Sequence, residues 1–147
     1  MVLLPTALVR LSLAALLGAC IGATRAYQTR TVWMRIHALV AVGSSLLTMT
    51  ALFGFTDVAG TTPMPGDPTR IVSWIIVGSG LLGAGSLLGQ RERRTVTGVT
   101  TAALIWMVAV MGILCGAGWL LEAVGGALLT LGVLLLRLLV KRYFSSH

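Results

Sequence analysis

The sequence predicts an all-α fold, a polytopic bundle of five transmembrane helices, and three observations predict it. Of 147 residues, 56% are apolar and only 10% charged, with a mean hydropathy of +0.95. That balance belongs to a chain embedded in lipid and exceeds what a soluble core of this size requires. The apolar residues fall in five runs, each close to the roughly 20 helical residues that a ~30 Å hydrocarbon core demands. None of the runs alternates with period two, so helices, which satisfy their own backbone in lipid, are expected and barrel strands are not.

The first span is placed at about 6–24 and carries Arg10 close to its outer end, where the side chain either snorkels or pairs with Asp67 or Glu122. Leu17-Gly18-Ala19-Cys20 has the look of a lipoprotein cleavage site, but no charge precedes Arg10 and four more spans follow, so the span is expected to be retained. The second span, about 36–55, has Arg35 and His37 at its cytoplasmic mouth beside Trp33 and Tyr27. Interfacial anchoring is the plain reading of these two, and proton relay or metal binding by His37 the sharper one.

The third span, about 70–89, opens on Asp67-Pro68-Thr69-Arg70. Proline suits the first helical position and Asp67 the N-cap, where a carboxylate accepts from exposed backbone N–H groups. Arg70 meets the positive end of the same helix dipole, and Asp67 is near enough to offset it. The two form either a local structural pair or part of a polar pocket at the outer surface, with Asp67 the best candidate for any metal. Gly78, Gly80, Gly83, Gly85 and Gly89 follow, and the pairs Ser79/Gly83 and Gly85/Gly89 have the small-xxx-small spacing that lets helices approach closely. This span is therefore expected at the centre, with room for a cavity faced by Thr100, Thr101 or His37. The fourth span, about 98–115, begins at Gly98 and holds Trp106; Gly116 to Gly118 make a tight turn into the fifth, about 119–140.

Basic residues cluster after the first span (Arg25, Arg30, Arg35), after the third (Arg91, Arg93, Arg94) and at the C-terminal end (Arg137, Lys141, Arg142). By the positive-inside rule the N-terminus is outside and the C-terminus cytoplasmic. In this setting the net charge of +7 reads as membrane anchoring, and no nucleic-acid partner is expected. Residues 1–147 read as one transmembrane domain without a soluble C-terminal domain. Cys20 and Cys115 are assigned to opposite membrane faces, beyond disulfide reach, and the scattered cysteines and histidines lack structural-zinc spacing. A faint repeat, Leu16-Leu-Gly-Ala19 with Leu81-Leu-Gly-Ala84 and Ala38-Leu39 with Ala103-Leu104, is attributed to composition and supports no functional claim alone.

Taken together, Arg10 with Leu17-Gly-Ala-Cys-Ile-Gly22, Arg35-Ile-His-Ala-Leu-Val40, Asp67-Pro-Thr-Arg-Ile71 through Gly78-Ser-Gly-Leu-Leu-Gly-Ala-Gly85, and Gly98-Val-Thr-Thr-Ala-Ala103 with Trp106 and Gly112 resemble the MgtC/SapB family of bacterial membrane proteins. The resemblance runs from about Leu8 to Leu135. It implies a multi-pass protein of the bacterial cytoplasmic (inner) membrane, linked to growth in low magnesium and to survival in host cells. It also implies a regulator that binds other membrane proteins, including the F-type ATP synthase and small membrane peptides. Older names in the family speak of magnesium transport, yet this chain has no phosphorylation motif or nucleotide site, so enzyme activity is not expected.

Departures from the family pattern bear on transport. Gly22-Ala23-Thr24-Arg25-Ala26 stands where the family usually has Gly-Leu-Glu-Arg-Glu, Trp74 replaces a Gln, and Val77 a Ser. Each change removes polarity from an ion path, and many members continue into a soluble domain past the point where this chain ends. Two functions follow: a membrane interaction protein, preferring a homodimer, that docks through small-residue faces; or a transporter or channel for Mg2+ or another cation or small solute. No cofactor is expected beyond a possible Mg2+, which favours several oxygen ligands, and Asp67 and Glu122 are the acidic residues near the membrane.

Overall fold

Lipid leaves each apolar run no option but to bond its own backbone, and the chain obeys. The computed structural model describes residues 3–24, 30–54, 67–88 and 97–144. Its elements are α1 (Leu4–Ala23), α2 (Arg30–Met49) continuing into a π-helical turn (Thr50–Gly54), α3 (Pro68–Leu88), α4 (Thr97–Ala117) and α5 (Leu120–Phe144). The fold is all-α, a helical membrane bundle. Among the described residues, four helices are long and apolar enough to cross a membrane, and α5 holds an apolar stretch over Leu120–Leu136. Arg25, Asp57, Gly89, Arg91, Arg93 and Arg94 lie outside the described residues, as do the side chains of Arg30, Arg137, Lys141 and Arg142.

The second span starts earlier than the sequence suggests, at Val32 and not Ile36. The Val32-Trp33-Met34 turn extends the helix, and Arg35 does not interrupt it because its side chain is exposed. His37 thereby moves from the mouth of the span into the packed interior.

Helix α3 is not the centre of the bundle. That place belongs to α4, which touches all four other helices and has half of its apolar stretch buried, against 17% for α3. Small residues explain the difference. With lipid as apolar as leucine, helices associate through close van der Waals contact, which needs backbones to approach. A Cβ on Gly18 would lie 2.6 Å from the carbonyl oxygen of His37, and one on Gly22 2.6 Å from that of Trp33, so α1 lies directly on α2. On α4, a Cβ at Gly112 would strike the carbonyl of Ala41, and one at Gly116 would lie 2.5 Å from that of Ser45. These two GxxxG pairs hold α1, α2 and α4 together, around a core that includes Ala14, Ile21, Ala41, Val108, Met111 and Cys115.

Of the described glycines expected to seat α3, Gly83 has a helix against it: a Cβ there would be 3.2 Å from that of Ala102 on α4. Gly78, Gly80 and Gly85 meet nothing within 4 Å. Gly98 is buried at the start of α4, and Trp106 is 43% exposed on its outer side. Gly83 and Ala102 stand at the same sequence offset from Gly18 and His37, so the faint repeat has a counterpart in helix contacts. Both cysteines are free, Cys20 exposed and Cys115 buried.

Candidate functional site

Helix α4 ends at Gly118, whose φ of 95° lies in the left-handed region that glycine enters without penalty. The Gly118 N–H donates to the carbonyl of Cys115 at 3.1 Å and that of Trp119 to the carbonyl of Leu114 at 2.9 Å, the paired bonds of a Schellman close. Among the remaining carbonyls of the last turn, Gly116 accepts from Nη1 of Arg10 at 2.8 Å. The guanidinium also lies over the ring of Phe53, 5.5 Å from its centroid, and Gly118 leaves it room, since a Cβ there would sit 2.7 Å from Nη2. Arg10, expected either to snorkel or to pair with Asp67 or Glu122, thus binds a backbone carbonyl and an aromatic face. An unsatisfied carbonyl at the negative end of a helix dipole is an acceptor already in place at this depth, whereas the two carboxylates are exposed. The π-helical turn at the end of α2 contains Phe53.

Asp67 caps α3. Its Oδ1 accepts from the Thr69 N–H at 2.9 Å and its Oδ2 from the Thr69 hydroxyl at 2.7 Å. The Thr69 hydroxyl and backbone bonds hold the carboxyl below its ordinary value of 3.8, and the charge of Arg70 adds a smaller contribution. Both carboxylate oxygens are therefore engaged by the helix start.

His37, Ser44, Ser45 and Thr48 line the buried side of α2, together with Thr101 of α4. The His37 ring is fully buried, with Nδ1 2.8 Å from the carbonyl of Trp33; a carbonyl only accepts, so Nδ1 carries the proton. Thr48 donates to the Ser44 carbonyl at 2.8 Å. Of the residues expected to face a cavity, Thr100, Thr101 or His37, the two threonines diverge. Neighbours on a helix point about 100° apart, so Thr101 turns inward while Thr100 lines an outer groove between α4 and α5. Among the described residues, no three His, Cys, Asp or Glu side chains cluster to hold a metal.

Among the described residues, grooves open on two sides of the bundle. One, about 400 Å³, lies between α4 and α5 and includes Thr100, Met107, Gly126 and Leu134; the other, about 410 Å³, lies between α2 and α3 and includes Gly43, Trp74, Gly78 and Leu82. Neither contains an ionisable side chain. Beside the second groove, α3 presents Trp74, Gly78, Leu81 and Gly85 as an exposed face.

Close-packing glycines inside, a buried polar seam, and an arginine locked to a helix end describe a polytopic helical membrane protein with a tightly closed core and an open face on α3. The chain belongs to the MgtC family, whose model matches residues 11–143. It is 35% identical over 127 residues to an Escherichia coli K12 protein named "Putative magnesium transporter YhiD", covering 86% of this chain and 58% of that protein. Protein MgtC of Salmonella typhimurium LT2 is 37% identical over 118 residues, 80% of this chain and 46% of the relative. An uncharacterized Synechocystis protein is 38% identical over 124 residues, 84% of this chain and 49% of the relative. The chain spans about half the length of the curated relatives it matches. No solved structure matches it.

Gly18/Gly22, Gly112/Gly116 and Phe53 were not singled out by sequence reasoning as contact residues. Each glycine pair has the same small-xxx-small spacing that drew attention to α3, a signal that marks candidates without saying which of them meet a neighbouring helix.

Proposed function

We propose that this chain is a non-enzymatic regulator of the bacterial cytoplasmic membrane, linked to magnesium limitation and virulence, that acts by docking its α3 face on partner helices. The observation that carries the reading is the open space at Gly78, Gly80 and Gly85: α3 has the small residues of a helix interface, and among the described residues nothing lies against them. A second copy is the first partner to test, followed by membrane proteins such as the F-type ATP synthase and small membrane peptides. The N-terminus lies outside and the C-terminus in the cytoplasm, as the basic clusters favour.

Cysteines placed at Gly80 or Leu81 in the membrane-embedded chain are expected to crosslink to a second copy or to a distinct membrane protein. Gly80→Leu is expected to cut the yield several-fold while leaving the monomer folded. Monomer alone in every lane overturns the reading.

A magnesium path is the second reading, favoured by the name of the Escherichia coli relative. Mg2+ requires near-octahedral oxygen ligands at about 2.0–2.1 Å, and Asp67, the best candidate, already gives both oxygens to Thr69. Proteoliposomes that take up Mg2+ no faster than empty vesicles, with wild type and Asp67→Asn alike, end this reading.

A further inference from the structure

The exposed face of α3 continues into the groove between α2 and α3, and the geometry points to a second copy of this chain as its occupant: in a two-fold dimer, Trp74 of each copy enters the α2–α3 groove of the other. The assignment rests on α3 being a docking face and adds the partner and the contact. Gly43 of α2 and Gly78 of α3 both line the groove, and a Cβ on either would meet nothing within 4 Å. Two helices thus bring glycines to one groove without closing on each other. Its volume, about 410 Å³, selects the kind of guest. A spanning helix ~10 Å across and ~30 Å long occupies on the order of 2,000 Å³, so the groove admits a large side chain and not a helix.

Two polar groups say what that side chain is. Trp74 stands on the groove rim and is 70% exposed. The apolar stretch of α3 begins at Pro68, which puts Trp74 about 9 Å inside it, below the headgroup level where membrane tryptophans find partners for the indole N–H. Among the described residues that N–H donates no hydrogen bond, and lipid chains offer it no acceptor. Ser44, only 5% exposed, lines the groove. Its hydroxyl likewise makes no hydrogen bond among the described residues, whereas Ser79 across the groove turns its own to the Ile76 carbonyl at 2.9 Å. A lipid chain in the groove would leave the indole and the Ser44 hydroxyl both unpaired. A second copy brings a donor to the groove and an acceptor to the tryptophan. Depth agrees, because the α3 wall runs from Ile71 to Leu82 and so includes the level of Trp74. A two-fold axis along the membrane normal keeps each residue at its own depth, and the self-complementary contact then forms twice.

Energy transfer between donor- and acceptor-labelled copies of the full chain, diluted into phosphatidylcholine vesicles, tests the assignment. Wild-type copies are expected to associate, and Trp74→Ala to weaken association about tenfold or more, since the contact is lost twice. Gly43→Leu, which fills the groove from the α2 wall, is expected to do the same; Gly78→Leu repeats the test from the α3 wall should Gly43→Leu fail to fold. Gly132→Leu, on α5 with open space around it and outside the groove lining, leaves association unchanged. The decisive sample mixes Trp74→Ala copies with Gly43→Leu copies. One Trp74 there still meets an open groove, so the mixed pair is expected to associate more tightly than either variant with itself. Wild type that stays monomeric, Trp74→Ala that associates like wild type, or a mixed pair no tighter than its parents overturns the assignment. So does a monomeric wild type that retains phospholipid in native mass spectrometry and loses it on Gly43→Leu, which gives the groove to a lipid chain. In any of these cases a cysteine at Leu81 that crosslinks to a distinct membrane protein leaves α3 docking standing, whereas no crosslink at all removes both.

Discussion

Arg10 carries a charge at membrane depth, and its surroundings tell what that charge is for. The guanidinium supplies a donor to a carbonyl that the end of α4 leaves over and rests on an aromatic face at the end of α2, so one side chain ties three helices. A hydrogen bond to a charged group is worth about 1.5–3 kcal/mol. Arg10→Ala is therefore expected to destabilise the protein by about 2 kcal/mol in an unfolding titration from detergent, and Arg10→Lys by less, since an ammonium keeps the charge without the planar stack. Equal stability of Arg10→Ala and wild type would remove this role. Asp67 acts on a smaller scale. Its carboxyl is held below 3.8 in the fold, so its contribution is present above the unfolded value and is lost as pH falls through the lowered folded value. The Thr69 amide resonance is expected to titrate below pH 3.8 in wild type and to stay flat in Asp67→Asn; a midpoint at or above 3.8 contradicts the cap. Asp67 and Pro68 were legible as a cap because their neighbours in sequence are also their partners. The partners of Arg10, at Phe53 and Gly116, are distant in sequence and include a backbone carbonyl, which no side-chain pattern announces.

Among the helices, the same glycine chemistry has opposite consequences on α4 and α3. Gly112 and Gly116 let the α4 backbone rest on the carbonyls of Ala41 and Ser45, while Gly78 and Gly80 face open space. Gly112→Ala is expected to force α2 and α4 apart and cost at least ~2 kcal/mol, because the obstacle is backbone and cannot rotate aside. Gly80→Ala is expected to leave monomer stability unchanged or to raise it by up to ~1 kcal/mol through better helix propensity. Thermal unfolding of the two variants side by side decides it, and similar losses would mean that α3 is packed in a way the monomer does not show. Expecting α3 at the centre was an inference from glycine density, and density does not say which way a helix is turned. The outward glycines move from a reason for internal packing to the basis of a docking face.

For the whole molecule, the distribution of basic residues yields a topology that the fold alone leaves open, since a bundle has the same internal contacts either way up. Alkaline phosphatase inserted between residues 56 and 66 is expected to be active, and a fluorescent protein fused after His147 to fluoresce, as the positive-inside assignment requires; the reverse pattern would invert the protein. Membership of the MgtC family fixes the class of molecule over residues 11–143, and Trp74 and Val77, read in the sequence as departures from the family pattern, lie on α3. Trp74 is 70% exposed and Val77 61%, so the lost polarity falls on the outer side of α3 and not on an interior path.

By itself the sequence determined that this chain is helical and embedded in lipid, because hydrophobic run length and the requirement to satisfy every backbone polar group leave no other solution. Tertiary structure alone decided which face of each helix meets a neighbour. In water a buried face is apolar and an exposed one polar, and their periodicity can be read. In a membrane, lipid-facing and helix-facing sides are equally apolar, so the distinction rests on a methyl-sized gap between backbones, at Gly18, Gly22, Gly112 and Gly116, that only the assembled bundle reveals.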